Sequence, residues 1–222
     1  MNILVMNGSP RGEQSNTLKL TRAFLDGMKE QAEIVHTIQE EIRPCLGCYG
    51  CWNKTPGKCV QKDAMASILE KITQADLIIW STPLYSYGVP STCKAVIDRL
   101  LPLSCQEQYE GEQGKTQHKS RLTREIPMVL ITGCGFPERE NNYEGMLFQF
   151  ERCFGANLPK IVCVEEPLLS VEEAKPIASQ YLAYVKQAGE QYKQNGFIDE
   201  ELQQKLDQPM IPPQVYREAT KK

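Results

Sequence analysis

The sequence has no surplus of basic residues and no long hydrophobic run. Its 25 Lys and Arg residues against 28 Asp and Glu residues give a formal net charge of -3. Such a balance excludes the electrostatic attraction that dominates binding to nucleic acid or to an anionic membrane. The opening apolar run at residues 3–6 is too short to span a bilayer and follows no basic flank. We therefore predict a cytoplasmic protein with no nucleic-acid or membrane partner.

Several functional signatures are also missing. Histidine occurs only twice, and neither His36 nor His118 stands at a spacing that suggests a metal or catalytic partner. The turn at residues 8–17 (GSPRGEQSNT) has neither the Gly-Lys-Ser/Thr ending of a P-loop nor the G-x-G-x-x-G pattern of a dinucleotide-binding turn. The sequence thus offers no nucleotide-binding motif of either kind.

The same turn nevertheless has the chemistry of a phosphate site. It leads from a predicted strand into the N-terminus of a predicted helix, where free N–H groups and the helix dipole attract anions. Ser9, Ser15 and Thr17 supply hydroxyl groups, and Arg11 adds positive charge. We predict that the turn binds a phosphate dianion; the alternative is a capped turn without a ligand.

Strongly apolar segments alternate with amphipathic ones along the chain. The apolar segments predict five strands, at residues 2–7, 33–38, 76–82, 126–132 and 160–164. This alternation indicates a parallel sheet with helices on both faces, in which ligands bind beyond the carboxyl ends of the strands. The polar stretch at residues 106–124 is predicted to be an exposed excursion from the sheet.

The C-terminal part of the chain is predicted to consist of a long helix followed by an extension. Residues 171–195 favour a helix that ends at Gly196, so we predict a domain over residues 1–196 and an extension over residues 197–222. Residues 198–206 favour a short helix, and the prolines after it predict irregular chain. The extension either packs on a neighbouring subunit or is a loosely held terminus.

Two further turns follow the third and fourth predicted strands. Residues 82–90 (TPLYSYGVP) contain two tyrosines, a glycine and two prolines, against which a planar ring could lie. Residues 132–138 (TGCGFPE) contain two glycines that permit close backbone approach. Each turn alone is ordinary. Their shared position at one edge of the sheet indicates a common ligand.

These segments resemble a known family of flavin enzymes. The opening MNILVMNGSPRG with Ser15-Asn16-Thr17, PLYSYGVP at residues 83–90, and CGFPE at residues 134–138 together resemble the NAD(P)H-dependent FMN reductase and iron-sulfur flavoprotein group. The resemblance covers about residues 1–160 and implies the flavodoxin-like strand order 2-1-3-4-5. It also implies assembly as a homodimer or homotetramer.

The resemblance assigns FMN as cofactor and NAD(P)H as cosubstrate. It implies that the phosphate is held by Ser9, Arg11, Ser15, Asn16 and Thr17. It places the isoalloxazine beside Pro83, Leu84, Tyr85, Ser86, Tyr87 and Gly88, with Gly133, Cys134 and Gly135 near its far edge. No catalytic side chain is required, because the flavin N5 carries the hydride chemistry.

The resemblance therefore predicts an oxidoreductase that passes electrons to a quinone, a free flavin or another small acceptor. One alternative is a non-enzymatic electron carrier or redox-responsive binding protein, since a fold does not determine a function. Another alternative is a structural protein that has lost FMN. We favour the enzyme because carriers of this fold tend to be smaller and strongly acidic.

Cysteine, by contrast, is abundant, with nine residues in the chain. Cys45, Cys48, Cys51 and Cys59 form a C-x2-C-x2-C-x7-C pattern within the predicted loop at residues 42–62. Thiolates at this spacing can hold a [4Fe-4S] cluster, and the pattern matches that of iron-sulfur flavoproteins. A structural zinc site is a weaker alternative because its cysteine pairs usually lie further apart. The favoured interpretation is a set of free or partly oxidised thiols.

Overall fold

The computed structural model describes residues 1–111 and 114–221 as a parallel sheet covered by helices on both faces. Its strands are β1 (Ile3–Asn7), β2 (Ala32–His36), β3 (Leu77–Pro83), β4 (Ser104–Glu110), β5 (Thr116–Ser120), β6 (Met128–Gly133) and β7 (Lys160–Cys163). Its helices are α1 (Asn16–Met28), α2 (Gly50–Asn53), α3 (Met65–Gln74), α4 (Ser91–Asp98), α5 (Glu144–Phe154), α6 (Lys175–Asn195), α7 (Glu200–Leu206) and α8 (Pro213–Ala219).

Five strands form the main sheet in the order β2-β1-β3-β6-β7, and every neighbouring pair is parallel. Counting only these five strands, the order is 2-1-3-4-5, which confirms the predicted flavodoxin-like fold. Strands β1 and β3 are buried along their whole length, as their continuous apolar sequences require of strands covered on both faces. One apolar cluster on one face contains Trp80 and Phe150, and another on the opposite face contains Phe24 and Tyr181.

Helices α1 and α6 pack together unusually closely through a reciprocal pair of glycines. A Cβ atom at Gly27 would lie 1.9 Å from the Lys186 carbonyl oxygen, and one at Gly189 would lie 2.0 Å from the Phe24 carbonyl oxygen. Only glycine permits this approach of one backbone to the other. The contact fixes the position of α1, whose N-terminus belongs to the predicted phosphate site.

Strands β4 and β5 form a separate antiparallel pair in the predicted excursion. The residues of β5 are all exposed, as are most of those of β4, which confirms that this segment leaves the core. The sequence did not predict the strands, because both faces carry polar side chains and no alternation marks a buried face. His118 of β5 contacts the Trp52 ring of α2, with the ring centroids 4.8 Å apart.

The C-terminal extension packs on its own chain. Leu202, Leu206 and Met210 belong to the apolar cluster that contains Phe24, so the described part of the extension is not a loosely held terminus. The prediction of irregular chain after residue 206 was wrong, because α8 begins at Pro213. Proline is favoured in the first turn of a helix, where its missing N–H has no intrahelical partner to lose.

Helix α6 is the longest helix and ends as the sequence predicted. Gly196 follows it in the left-handed conformation (φ +79°), and its N–H donates to the Tyr192 carbonyl oxygen at 2.9 Å. Its N-terminal start was placed too early: residues 172–174 form a 3-10 turn before Lys175. Over residues 1–111 and 114–221, no helix combines the length and apolar character needed to cross a membrane.

Candidate functional site

The three predicted turns lie side by side at the carboxyl edge of the sheet. Each turn donates a backbone hydrogen bond that extends the ladder of its strand: the Gly8 N–H to the Ser81 carbonyl oxygen (2.9 Å), the Leu84 N–H to Gly133 (2.9 Å), and the Cys134 N–H to Cys163 (3.0 Å). The turns are therefore held by the sheet itself. We call them the phosphate turn (residues 8–17), the tyrosine turn (residues 83–90) and the glycine turn (residues 133–138).

The phosphate turn ends at a well-formed helix N-terminus. Ser15 is the N-cap of α1, and its hydroxyl accepts the Leu18 N–H at 3.3 Å. The N–H groups of Asn16 and Thr17 precede the first intrahelical bond, so they are available to an anion. The Ser9 hydroxyl accepts the Arg11 N–H at 3.3 Å. Both serine hydroxyls keep their own hydrogen for donation to a ligand.

His36, which had no role predicted from the sequence, supports the phosphate turn through Asn7 and Glu13. Asn7 accepts the Ser9 N–H at 3.1 Å and donates to the Gly12 carbonyl oxygen at 3.1 Å. The same Asn7 amide nitrogen lies 2.8 Å from His36 Nδ1, and His36 Nε2 lies 2.8 Å from Glu13. The hydrogen bond from His36 lowers the pKa of Glu13. The spacing of 29 residues between Asn7 and His36 gave no sequence signal.

A carboxylate that the sequence analysis missed also reaches the phosphate turn. Glu166 follows β7, and its side chain accepts a hydrogen bond from the Thr17 hydroxyl. Its carbonyl oxygen accepts the Asn16 side-chain amide at 3.3 Å, and its N–H donates to the Cys134 carbonyl oxygen at 2.8 Å. Burial raises the pKa of Glu166, although the Thr17 hydrogen bond and the charges of Arg11 and Lys19 oppose the shift.

Gly133 makes room for this carboxylate. A Cβ atom at Gly133 would lie 2.5 Å from Glu166 Oε1 and 2.6 Å from its Cδ. The space beside this glycine is therefore filled by Glu166. Gly135, in contrast, has only Pro167 at 3.7 Å and the Tyr216 hydroxyl at 4.0 Å near its Cβ position, so of the two it is the one with free space beside it.

The tyrosine turn has an unusual backbone. Tyr85 and Gly88 exchange both backbone hydrogen bonds, at 2.8 and 2.9 Å. The two residues between them, Ser86 and Tyr87, both adopt left-handed conformations (φ +49° and +61°). Such a turn normally carries Asn or Gly, and strained conformations of other residues concentrate at ligand sites.

An exposed aromatic surface joins the tyrosine turn to the glycine turn. The rings of Tyr87 and Phe136 are nearly parallel, 7° apart in orientation and 6.1 Å apart in centroid position. Tyr85, Tyr87 and Phe136 all stand among the exposed large apolar side chains. Cys134 is buried instead, which raises the pKa of its thiol. The edge therefore presents a flat apolar surface next to a polar anion site.

The four clustered cysteines line one cavity. Cys45 and Cys48 are exposed, Cys59 is half-buried and Cys51 is buried. Burial raises the pKa of Cys51, and negative charge at Cys59, Cys45 and Cys48 would raise it further. Across residues 1–111 and 114–221, no three Cys, His, Asp or Glu side chains are placed as ligands of one metal ion.

A buried arginine forms one wall of this cavity. Arg99 forms an ion pair with Asp63, donates to the Arg43 carbonyl oxygen at 3.1 Å, and donates through Nη2 to Cys59 Sγ at 3.3 Å. The side chains of Arg99 and Asp63 are almost completely buried. The hydrogen bond from Arg99 lowers the pKa of Asp63 against the opposing effect of burial. Arg99, which directly follows α4, thus anchors the cysteine loop (residues 42–62) through its hydrogen bonds to Arg43 and Cys59.

A comparison of sequences now assigns the chain to a family. Residues 1–125, more than half of the chain, match the NADPH-dependent FMN reductase family. This chain belongs to that family. The matched part of this FMN reductase family member includes the phosphate turn, the cysteine loop and the tyrosine turn. The glycine turn and Glu166 lie outside it.

Two kinds of name occur among the relatives that this FMN reductase family member matches. An iron-sulfur flavoprotein of Methanocaldococcus jannaschii is 36% identical over 117 residues, covering 51% of this chain and 59% of the relative. The FMN-dependent NADH:quinone oxidoreductase 8 of Burkholderia lata is 32% identical over 126 residues, covering 50% of this chain and 58% of the relative. This chain spans about half the length of the curated relatives it matches, with coverage from 48% to 59% for the first of them.

A comparison of structures gives the same fold. The FMN-dependent NADH-azoreductase of Bacillus anthracis, solved with FMN, superposes with a TM-score of 0.61. The superposition covers 87% of this chain and all of that one, at 17% sequence identity. The similarity shows a shared fold.

Proposed function

We propose that this chain binds FMN and catalyses electron transfer from NAD(P)H to a small acceptor such as a quinone. The observation that carries the proposal is the juxtaposition of an anion site at the N-terminus of α1 with the flat aromatic surface of Tyr87 and Phe136. A terminal phosphate fits the first and a planar ring fits the second. Two relatives are named FMN-dependent NADH:quinone oxidoreductase 8 and FMN-dependent NAD(P)H:quinone oxidoreductase 1.

The role of each part follows from its chemistry. Ser9, Ser15 and the N–H groups of Asn16 and Thr17 hold the phosphate, and Arg11 contributes positive charge. Residues 83–88 and Gly133, Cys134 and Gly135 border the ring. FMN, when bound, supplies the hydride chemistry. Each turnover converts NAD(P)H, a proton and a quinone into NAD(P)⁺ and a hydroquinone.

Flavin binding is tested by comparing FMN with riboflavin, which lacks the phosphate. Ser9→Ala removes one hydroxyl donor to a charged group, worth about 1.5 kcal/mol or more, so the Kd for FMN should rise about tenfold while the Kd for riboflavin stays unchanged. Quenching of flavin fluorescence measures both constants. Equal affinity of the unmodified protein for the two flavins would contradict the phosphate site.

A second experiment separates the enzyme from an electron carrier. NADH or NADPH added without any partner protein should bleach the bound flavin rapidly, and a quinone should restore its absorbance. A carrier would stay yellow. A structural protein that has lost its cofactor would show no flavin absorbance after reconstitution.

For the cysteine loop we propose, as the alternative to the favoured set of free or partly oxidised thiols, a [4Fe-4S] cluster. The four thiols line one cavity, and the Arg99 hydrogen bond to Cys59 suits an anionic cluster. The sulfurs would have to move closer together, since no three of the described side chains form a metal site as placed. Protein prepared without oxygen should then contain iron and sulfide, about four of each per chain.

Cys48→Ala should abolish that iron and sulfide content, and Cys153→Ala, which removes another exposed thiol, should leave it unchanged. Iron-free protein with normal flavin reduction would assign the cysteine loop a structural or redox role instead.

Three further expectations stay predictions. The chain forms a homodimer or homotetramer, it is located in the cytoplasm, and it divides at residue 196 into a flavin domain and an extension.

A further inference from the structure

Glu166 places a carboxylate at the proposed phosphate site, where its negative charge would repel the phosphate. It accepts a hydrogen bond from Thr17, the second residue of α1, and the N-terminus of that helix is where an anion binds most favourably. A phosphate dianion and an ionised carboxylate at the same helix end repel each other. No sequence pattern indicates this contact, because Glu166 lies 149 positions from Thr17.

The hydrogen bond also determines what Thr17 can offer to a phosphate. A hydroxyl group has one hydrogen to donate. While Glu166 is ionised, it accepts that hydrogen, and Thr17 has none left for the ligand. A protonated Glu166 can donate its own hydrogen to the Thr17 oxygen, which leaves the Thr17 hydrogen free.

We propose that Glu166 competes with the flavin phosphate for the Thr17 hydroxyl, so that protonation of Glu166 strengthens FMN binding. This inference rests on the proposed FMN site. It makes Glu166 a residue that sets the preference for FMN over riboflavin, and it makes this preference depend on pH.

Of the two adjacent carboxyl groups at this point of the site, Glu166 is the one that contacts Thr17. Its cationic neighbours, Arg11 of the phosphate turn and Lys19 of α1, oppose the rise of its pKa. The thiols and phenols around it, Cys134, Tyr143, Cys163 and Tyr216, have pKa values raised by burial, so they stay neutral near pH 7. The adjacent Glu165 has a raised pKa as well, but its carboxylate accepts the Ile211 N–H at 3.0 Å.

The position of Glu166 is fixed from several sides. Its N–H is bound to Cys134, its carbonyl oxygen to Asn16, and its side chain fills the space left by Gly133. Because these contacts hold the carboxyl group against Thr17, protonation changes the hydrogen bonding of Thr17 without requiring movement of the turn.

The test compares FMN and riboflavin affinity across pH in the unmodified chain and in Glu166→Gln. At about pH 8, Glu166→Gln should bind FMN about tenfold more tightly than the unmodified chain, because removal of a like charge changes the affinity by about that factor. The ratio of the two Kd values should approach one as the pH is lowered through the folded pKa of Glu166. Riboflavin, which has no phosphate, should show no such difference. The titration of the phosphate group on free FMN cancels in this ratio.

Glu165→Gln is the matched control. It also removes a carboxyl group with a raised pKa, yet it leaves Thr17 untouched and keeps an oxygen acceptor for Ile211, so its pH dependence should equal that of the unmodified chain. Should Glu166→Gln fail to fold, Thr17→Val gives a second measurement, since it removes the hydroxyl for which the two anions compete. That variant loses the competition but keeps the repulsion between the two anions, so the pH dependence of its FMN affinity should be smaller than that of the unmodified chain.

The outcomes distinguish this inference from the proposed function. FMN binding with the same pH dependence in Glu166→Gln and in the unmodified chain would overturn the role of Glu166 and leave the FMN site standing. A difference of the same size for riboflavin would also overturn it, because the effect would not involve the phosphate. Failure of the chain to bind FMN at all would overturn both.

Discussion

The phosphate turn and the cysteine loop are both rich in groups that bind ligands, but they are held in different ways. In the phosphate turn, Ser9, Ser15, Asn16 and Thr17 are buried, and each forms hydrogen bonds within the protein. In the cysteine loop, Cys45 and Cys48 are exposed. The first region is organised by these hydrogen bonds before a ligand arrives. The second exposes these two thiols, and it is anchored by Arg99 and Asp63 at its base and by the Trp52 indole N–H, which donates to the Leu101 carbonyl oxygen at 2.9 Å.

The largest change in the free energy of unfolding is expected when the ion pair between Arg99 and Asp63 is removed. Arg99→Met should lower the free energy of unfolding by about 3–5 kcal/mol, because it leaves the Asp63 carboxylate buried without its partner. Urea unfolding measures the change. Arg43→Met is the control: its side chain forms an exposed pair with Glu41, which is worth about 1 kcal/mol or less. Equal losses in the two variants would mean that the ion pair does not anchor the loop.

The second test applies to the edge of the phosphate site. Gly133→Ala should lower the free energy of unfolding by about 2 kcal/mol, because the added methyl group collides with the Glu166 carboxyl group. Gly135→Ala, two residues along the same turn, meets no atom closer than 3.7 Å and should be nearly neutral. If both alanines are tolerated equally, Glu166 moves freely, and the phosphate site is less organised than the structure indicates.

A smaller effect concerns the cap of α1. Ser15→Ala removes the hydroxyl that accepts the Leu18 N–H, so it should lower the free energy of unfolding by about 1 kcal/mol. Ser67→Ala, at an exposed position of α3 that caps no N–H, should change stability by much less. A loss at Ser15 no larger than at Ser67 would show that the cap contributes nothing before the ligand binds.

The last test uses pH. A fall in pH should decrease the stability contributed by Asp63 and increase the stability contributed by Glu166. The pKa of Asp63 is lowered in the folded chain, so its contribution to stability is present at neutral pH and is lost as the pH falls through its folded value. The pKa of Glu166 is raised, so stability falls as the pH rises from the unfolded pKa through the folded one. The loss caused by Asp63→Asn should therefore shrink in acid.

Glu166→Gln should behave in the opposite way. It should increase the free energy of unfolding at neutral pH relative to the unmodified chain, and the gain should disappear in acid. Thermal unfolding at a series of pH values measures both variants. A gain that persists unchanged at acid pH would show that the substitution acts through packing and not through the charge of Glu166.

Sequence reasoning succeeded where the relevant signal is local. The five strands, the end of α6 at Gly196 and the three turns at the sheet edge depend on residues close together in the chain, and a right-handed parallel sheet leaves few arrangements for them. The start of α8 at Pro213 is local too, but it was missed because proline was taken as a helix breaker. At the first turn of a helix it is favoured.

The missed site residues depend on contacts between distant parts of the chain. Phe136 contacts Tyr87 across two turns, His36 supports the phosphate turn from the end of β2, and Glu166 reaches Thr17 from beyond β7. None of these pairs has a characteristic spacing. Ser15 is a local case in contrast: its place directly before an apolar helix predicts a helix cap, and it is the N-cap of α1.

The packing of the C-terminal extension has a consequence for the glycine turn. Tyr216 of α8 is buried beside this turn, Arg217 forms an ion pair with Glu138, and the Ile211 N–H binds the Glu165 carboxylate. These contacts join residues far apart in the sequence, so a substitution in the extension acts directly on the edge of the sheet at which the three turns meet.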